Sequence, residues 1–99
     1  MKTRFLAPAQ QELDAAVEYH NAKVPGLGDE LFDEVVAAAR TICEFPALWP
    51  KVRKDIRRSR LKRFPYSLIY RAGLEEIVIV AVMHNRRRPT YWRSRVKSH

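Results

Sequence analysis

Cysteine is nearly missing from this chain. Cys43 stands alone, so no internal disulfide can form and nothing demands an oxidising compartment; a cytoplasmic location is the expectation. Glycine is also scarce, with 3 residues in 99, and no glycine-rich phosphate loop, nucleophile elbow or zinc signature occurs. The longest apolar run, Ile77 to Met83, is far short of the ~20 residues that span a bilayer. No basic, apolar, small-residue pattern opens the chain, so neither export nor a membrane partner is expected. His20 and His99 lack companions at metal-ligand spacing, and the acidic pairs Asp29/Glu30 and Asp33/Glu34 fit solvated helix faces better than acid–base work. Neither a metal nor a cofactor is expected.

Negative charge is scarce in one half only. Residues 1–50 carry 4 basic and 8 acidic side chains, net −4, whereas residues 51–99 carry 15 basic and 3 acidic, net +12. Such segregation points to an anionic partner for the second half, whether nucleic acid, acidic protein or lipid surface.

The length suits one domain over residues 1–99, burying roughly two thirds of the surface its unfolded chain would expose. Lys2 to Leu6 reads as an edge strand, and Pro8 suits the first turn of a helix. Leu13, Ala16, Val17 and His20 then recur at helical spacing as far as Lys23. Pro25, Gly26 and Gly28 break that helix. A second follows through Leu31, Phe32, Val35, Val36, Ala39, Ile42 and Cys43 to about Phe45, so the pair forms an antiparallel hairpin whose apolar stripe must lie on a sheet. Trp49 in the proline-flanked link reads as a packing plug.

Ile56 to Lys62 is expected to be a strand with Arg58, Arg60 and Lys62 on one face. Tyr66, Leu68 and Tyr70 alternate with Ser67, Ile69 and Arg71, the period-2 signature of a half-buried strand. Ala72 to Glu75 supply a turn. Ile77 to Met83, mostly β-branched, then reads as a central strand buried on both faces. The class is α+β, in the order β-α-α-β-β-β, with an antiparallel sheet under a helical hairpin and a final helical turn starting near Pro89. A hairpin covers only one face of a four-stranded sheet, so the other must be closed by the C-terminal aromatics, by a partner, or by both.

The candidate site follows the central strand: Arg86, Arg87 and Arg88, then Tyr91 and Trp92. Arginine presents planar, bidentate donors to phosphate or carboxylate, and aromatics stack on bases or anchor a protein interface. The plain alternative is a solvated basic loop with Trp92 tucked against the sheet. His84 sits on the Val78, Val80, Val82 side of its strand by simple alternation; it is either an acid–base group or a structural histidine. The row Arg57, Arg58, Arg60, Lys62 and Arg63 either tracks a phosphate backbone or guards a sheet edge against aggregation. Cys43 reads as inert packing.

The chain resembles the RelE/ParE superfamily of bacterial type II toxin–antitoxin toxins over nearly its whole length. The resemblance is carried by Pro8 with the helical hairpin and its Phe32, by FP followed by LWP at Phe45 to Pro50, by RFPYSLIYR at Arg63 to Arg71, and by AVMHNRRRPTYW at Ala81 to Trp92. It implies a small antiparallel sheet under a helical hairpin, and a cognate antitoxin as partner in a toxin–antitoxin hetero-oligomer. RelE-like members cut messenger RNA within the ribosome, whereas ParE-like members poison DNA gyrase. The nuclease's basic residues correspond to Arg58, Arg60 and Arg86; its third-strand arginine falls on Ser67, and its C-terminal tyrosine on Trp92, beside Tyr91. Those two departures, with a hairpin running from Pro8 to Phe45, favour a gyrase-directed, non-catalytic toxin. The alternative is a ribosome-dependent endoribonuclease using Arg58, Arg60, Arg86 and Tyr91 or His84, and a third reading is a plain nucleic-acid-binding module.

Overall fold

Proline and glycine set the element boundaries in the computed structural model, which describes residues 1–97. His99 lies outside the described residues. The order is β1 (Lys2–Phe5), α1 (Ala7–Lys23), α2 (Leu27–Glu44), β2 (Lys51–Arg53), β3 (Ile56–Arg60), β4 (Tyr66–Ala72), β5 (Glu76–His84) and α3 (Arg93–Lys97). Pro8 occupies the first turn of α1, where its missing N–H leaves no bond unmade. Buried residues recur in α1 at Ala9, Leu13 and Ala16, and in α2 at Leu31, Val35, Ala39 and Ile42, so each helix lays one stripe on the sheet.

The two helices meet closely at Gly28. A Cβ there would overlap the Val17 carbonyl oxygen and crowd Asn21. Asn21 Oδ1 accepts hydrogen bonds from the backbone N–H groups of Gly28 (2.7 Å) and Asp29 (3.3 Å), satisfying donors that the start of α2 would otherwise leave free.

The sheet has five strands in the order β1-β5-β4-β3-β2. It is mixed, where an antiparallel sheet of four strands was expected: β1 runs parallel to β5, and Lys51–Arg53 adds a short outer strand to β3. The physical reason is the outer edge of β5, which β4 leaves unpaired and which β1 covers. The final helical turn begins at Arg93, not at Pro89.

Two cores result. Beneath the helices lie Tyr66, Leu68, Tyr70, Ile77, Ile79 and Val82 with the helix stripes. On the opposite face Leu6, Ile56, Ile69, Val78, Val80, Ala81 and Met83 are closed over by Trp92, with Tyr91 and Val96 packed against them. Among the described residues no bare apolar sheet face is left for a partner.

The pairing of β4 with β5 shifts by one residue, from Ile69↔Ala81 to Tyr70↔Ile79, which leaves Val80 as an extra residue on β5. This is a β-bulge. Val80 and Ala81 both enter the second core, and the alternation is reversed beyond them. Simple alternation therefore misplaces His84: it follows Val82 onto the helix side, away from Val78 and Val80.

Candidate functional site

Where β1 ends, side chains take over the edge of β5. Leu6 N–H donates to the Ile79 carbonyl at 3.0 Å, the last backbone bond between the N-terminal segment and β5. Beyond it the Val82 N–H donates to Glu12 Oε1 at 3.1 Å, and Arg95 Nη1 donates to the Val80 carbonyl at 3.1 Å. Arg95 also grips Glu12 through Nη1–Oε1 at 2.9 Å and Nη2–Oε2 at 3.1 Å, a bidentate charge-assisted pair. The hydrogen bond to Glu12 raises the Arg95 pKa against the opposing effect of burial.

Glu12 organises the aromatic end of the site as well. The Tyr91 hydroxyl donates to Glu12 Oε2 at 2.7 Å. Burial, and then this bond, push the Tyr91 pKa far above its ordinary value, although Arg95 and Arg87 pull the other way. The Arg87 guanidinium stacks over the Tyr91 ring at 3.8 Å, with Nη1 3.7 Å from Glu12. Arg86, Arg87 and Arg88 are all exposed, and among the described residues the Arg86 and Arg88 side chains have no partner. Their loop is shaped by the backbone: Asn85 N–H donates to the Pro65 carbonyl, and Arg86 N–H to His84 Nδ1 at 3.1 Å.

Trp92 does not belong to the contact surface. It is 2% exposed inside the second core, and its Nε1–H has no hydrogen-bond partner among the described residues. The apolar floor of β4 and β5 needs a cover, and the indole is the largest group near enough in sequence to supply it. The exposed part of the site is thus the three arginines and the edge of Tyr91.

The acid–base residues are dispersed. His84 packs edge-on against Tyr66 at 5.1 Å, and Tyr66 in turn meets His20 at 5.8 Å, all on the helix side. Tyr91 lies against the second core, on the opposite face. Arg58 and Arg60 lie on that second face too, at alternate positions of β3 paired with Ile69 and Ser67 of β4. Arg58 Nε donates to Ser67 Oγ and its Nη2 to Asn85 Oδ1, both at 3.0 Å. Lys62 falls beyond the end of β3, and its backbone N–H donates to Glu34 at 2.6 Å.

Sequence reasoning missed Glu12, Ser67 and Asn85 as organisers. Only Ser67 carried a signal, as a small polar residue in an otherwise apolar or basic strand. Cys43 is half-buried, with Sγ 2.9 Å from Thr3 Oγ1, and it lines a groove of about 640 Å³ between β1 and the two helices. Phe32, 45% exposed, stands in the same groove. Among the described residues no cluster of three metal-capable side chains occurs, and no helix is long and apolar enough to cross a membrane.

A family model described as the ParE toxin of the type II toxin–antitoxin system, parDE, matches residues 3–89. No curated protein matches the sequence. Ten chains of solved structures match the fold. One of them, the chromosomal ParDE toxin–antitoxin system from P. aeruginosa, is 20% identical and superposes with a TM-score of 0.74, covering 85% of this chain and 95% of that one. At that identity the likeness establishes the fold.

Proposed function

Because the chain belongs to the ParE toxin family of type II toxin–antitoxin systems, we propose that it works as an interaction protein: it binds and inhibits DNA gyrase in the cytoplasm and is neutralised by a cognate antitoxin. Gyrase is the target that the resemblance to the ParE branch implies. The observation that carries this choice over messenger RNA cleavage is the placement of His84 and Tyr91 on opposite faces of the sheet. An acid and a base for one phosphodiester must converge within hydrogen-bond reach of it. Tyr91 has moreover committed its proton to Glu12, and burial makes it a poorer acid.

The surface offered to gyrase is the arginine loop, with Arg86 and Arg88 unengaged and Arg87 stacked on Tyr91. The antitoxin cannot lie on a bare sheet face, because Trp92 and its neighbours close that face. The groove beside β1, with Phe32 half-exposed within it, is the apolar opening left for an antitoxin segment.

The purified chain is expected to inhibit supercoiling and accumulate cleaved DNA with gyrase, while ribosome-bound message stays intact. Unchanged gyrase activity together with cut message would hand the function to the endoribonuclease reading.

A further inference from the structure

The turn that carries Arg86 is fixed on both sides. Asn85 N–H donates to the Pro65 carbonyl at 2.8 Å, and Arg87 N–H to the His84 carbonyl at 3.0 Å. Asn85 Oδ1 is held in addition by Arg58 Nη2 at 3.0 Å and by the Ser67 hydroxyl at 2.6 Å. Between these points the Arg86 N–H donates at 3.1 Å to an ionisable side chain, through His84 Nδ1. The backbone beneath the first exposed guanidinium of the loop thus depends on the protonation state of one ring nitrogen.

A ring nitrogen accepts only when it carries no proton, so the proton of the neutral His84 ring is on Nε2. Imidazole takes up a second proton between about pH 8 and pH 5, and the nitrogen open to it here is Nδ1. Two donors would then face one another across 3.1 Å. The ring is hindered from turning away, since it stands edge-on against Tyr66, its partner in the β4–β5 ladder, at 5.1 Å. The Arg86 backbone is the part left to move.

The groups around His84 offer a charged ring no opposite charge. From β4 it meets Tyr66, whose pKa burial, and then Tyr19, raise, so this phenol stays neutral over the same range. Behind Tyr66, α1 brings His20, with its ring 5.8 Å away, and Tyr19, which carries Lys23 over its face. The loop itself brings Arg86 and Arg87. Among the described residues no carboxylate of any element lies within ion-pair distance of His84.

We propose that His84 is the positioning residue of the arginine loop: as an unprotonated acceptor for the Arg86 N–H it sets where Arg86 points, and docking of the loop weakens as His84 gains a proton. The docking half rests on the gyrase reading; the positioning half does not. Charge alone demands the opposite sign, because a further cation beside Arg86, Arg87 and Arg88 strengthens attraction to an anionic surface. The direction of the pH dependence therefore separates a geometric role from an electrostatic one.

The test is a pH titration of the isotope-labelled full chain by NMR, from about pH 8 to about pH 5. At the upper end the His84 ring is expected to be the Nε2–H tautomer, with the Arg86 amide protected from solvent exchange. As the ring gains its proton, the Arg86 amide is expected to shift with the same midpoint and lose that protection. In His84→Asn, whose Oδ1 stands where Nδ1 was and accepts at every pH, the amide is expected to stay protected throughout. An Nδ1–H tautomer at high pH overturns the assignment, as does an Arg86 amide indifferent to the His84 titration. So does an amide that responds equally in His84→Asn, which hands the effect to His20. The wild-type titration decides by itself should the variant unfold. Binding to immobilised gyrase at pH ~7.5 and pH ~6 then tests the docking half. The wild-type chain is expected to bind about fivefold more weakly at the lower pH, the effect of losing one ordinary hydrogen bond, and His84→Asn to show no such loss. Wild-type binding as tight at the lower pH, or a loss that His84→Asn shares, overturns the docking role. Absence of gyrase binding at both pH values removes the gyrase reading and the docking half with it, while the NMR titration still decides whether His84 positions Arg86.

Discussion

Glu12 receives donors from three stretches of chain: the Val82 N–H, the Tyr91 hydroxyl and both terminal nitrogens of Arg95. With the carboxylate and guanidinium both largely shielded, at 16% and 18% side-chain exposure, Glu12→Ala strands buried donors and is expected to cost about 3 kcal/mol. For a chain of this size that lowers the melting temperature by on the order of 15 °C, measurable by circular dichroism. Tyr91 adds a pH dependence. Its folded pKa is raised above the ordinary value of 10.0, so the unfolded chain gives up this proton first. The stability that the protonated hydroxyl contributes is complete below about pH 10 and lost as pH rises toward the folded pKa. Tyr66 and Tyr70, raised by burial, act in the same direction. Alkaline unfolding above pH ~10, followed by ellipticity, is expected to be less steep in Tyr91→Phe. None of this was legible in the sequence, because Glu12 and Tyr91 lie 79 residues apart and neither belongs to a local pattern. Trp92 misleads for the same reason: an indole beside three arginines reads as a contact residue until the uncovered floor beneath it is seen.

At the scale of elements, the close crossing of α1 and α2 depends on Gly28. The Cβ of Gly28→Ala meets backbone oxygen, which cannot swing aside. The helices must separate, at an expected cost of about 2 kcal/mol or more; chemical denaturation of the variant checks it. Gly26→Ala strains a left-handed residue at φ 90° but meets open space, so the two glycines should differ in packing and not in backbone strain alone. The helices, the β3, β4 and β5 strands and their turns were readable because periodicity and punctuation agree there. The bulge in β5 was not. Seven apolar residues in succession carry no phase, so nothing in Ile77 to Met83 marks where alternation skips, and His84 is misassigned to the wrong face in consequence. The parallel pairing of β1 was equally hidden, since a strand of four residues states its partner only through the edge it covers.

For the whole molecule, charge follows the layers. Residues 7–44, the helical hairpin, hold 8 acidic and 2 basic side chains, net −6, against net +12 in residues 51–99. The arginine loop proposed to meet gyrase therefore sits on a molecule with opposed poles, and steering toward an anionic surface will be strongly salt-dependent. Replacing Arg86 and Arg88 together by alanine is expected to raise the concentration needed for gyrase inhibition about tenfold or more while leaving the melting temperature unchanged, both side chains being exposed. A supercoiling titration beside a thermal melt checks both halves. The charge division was plain in the sequence; that the chain seals its own second face was only one of the outcomes the pattern allowed. That seal has a consequence for biosynthesis. The lid over the second core, Tyr91 to Val96, is made late, and it locks onto Glu12, made early. A nascent chain from which those residues have yet to emerge has an open flank, so the second core cannot close until the segment from Tyr91 to Val96 has left the ribosome.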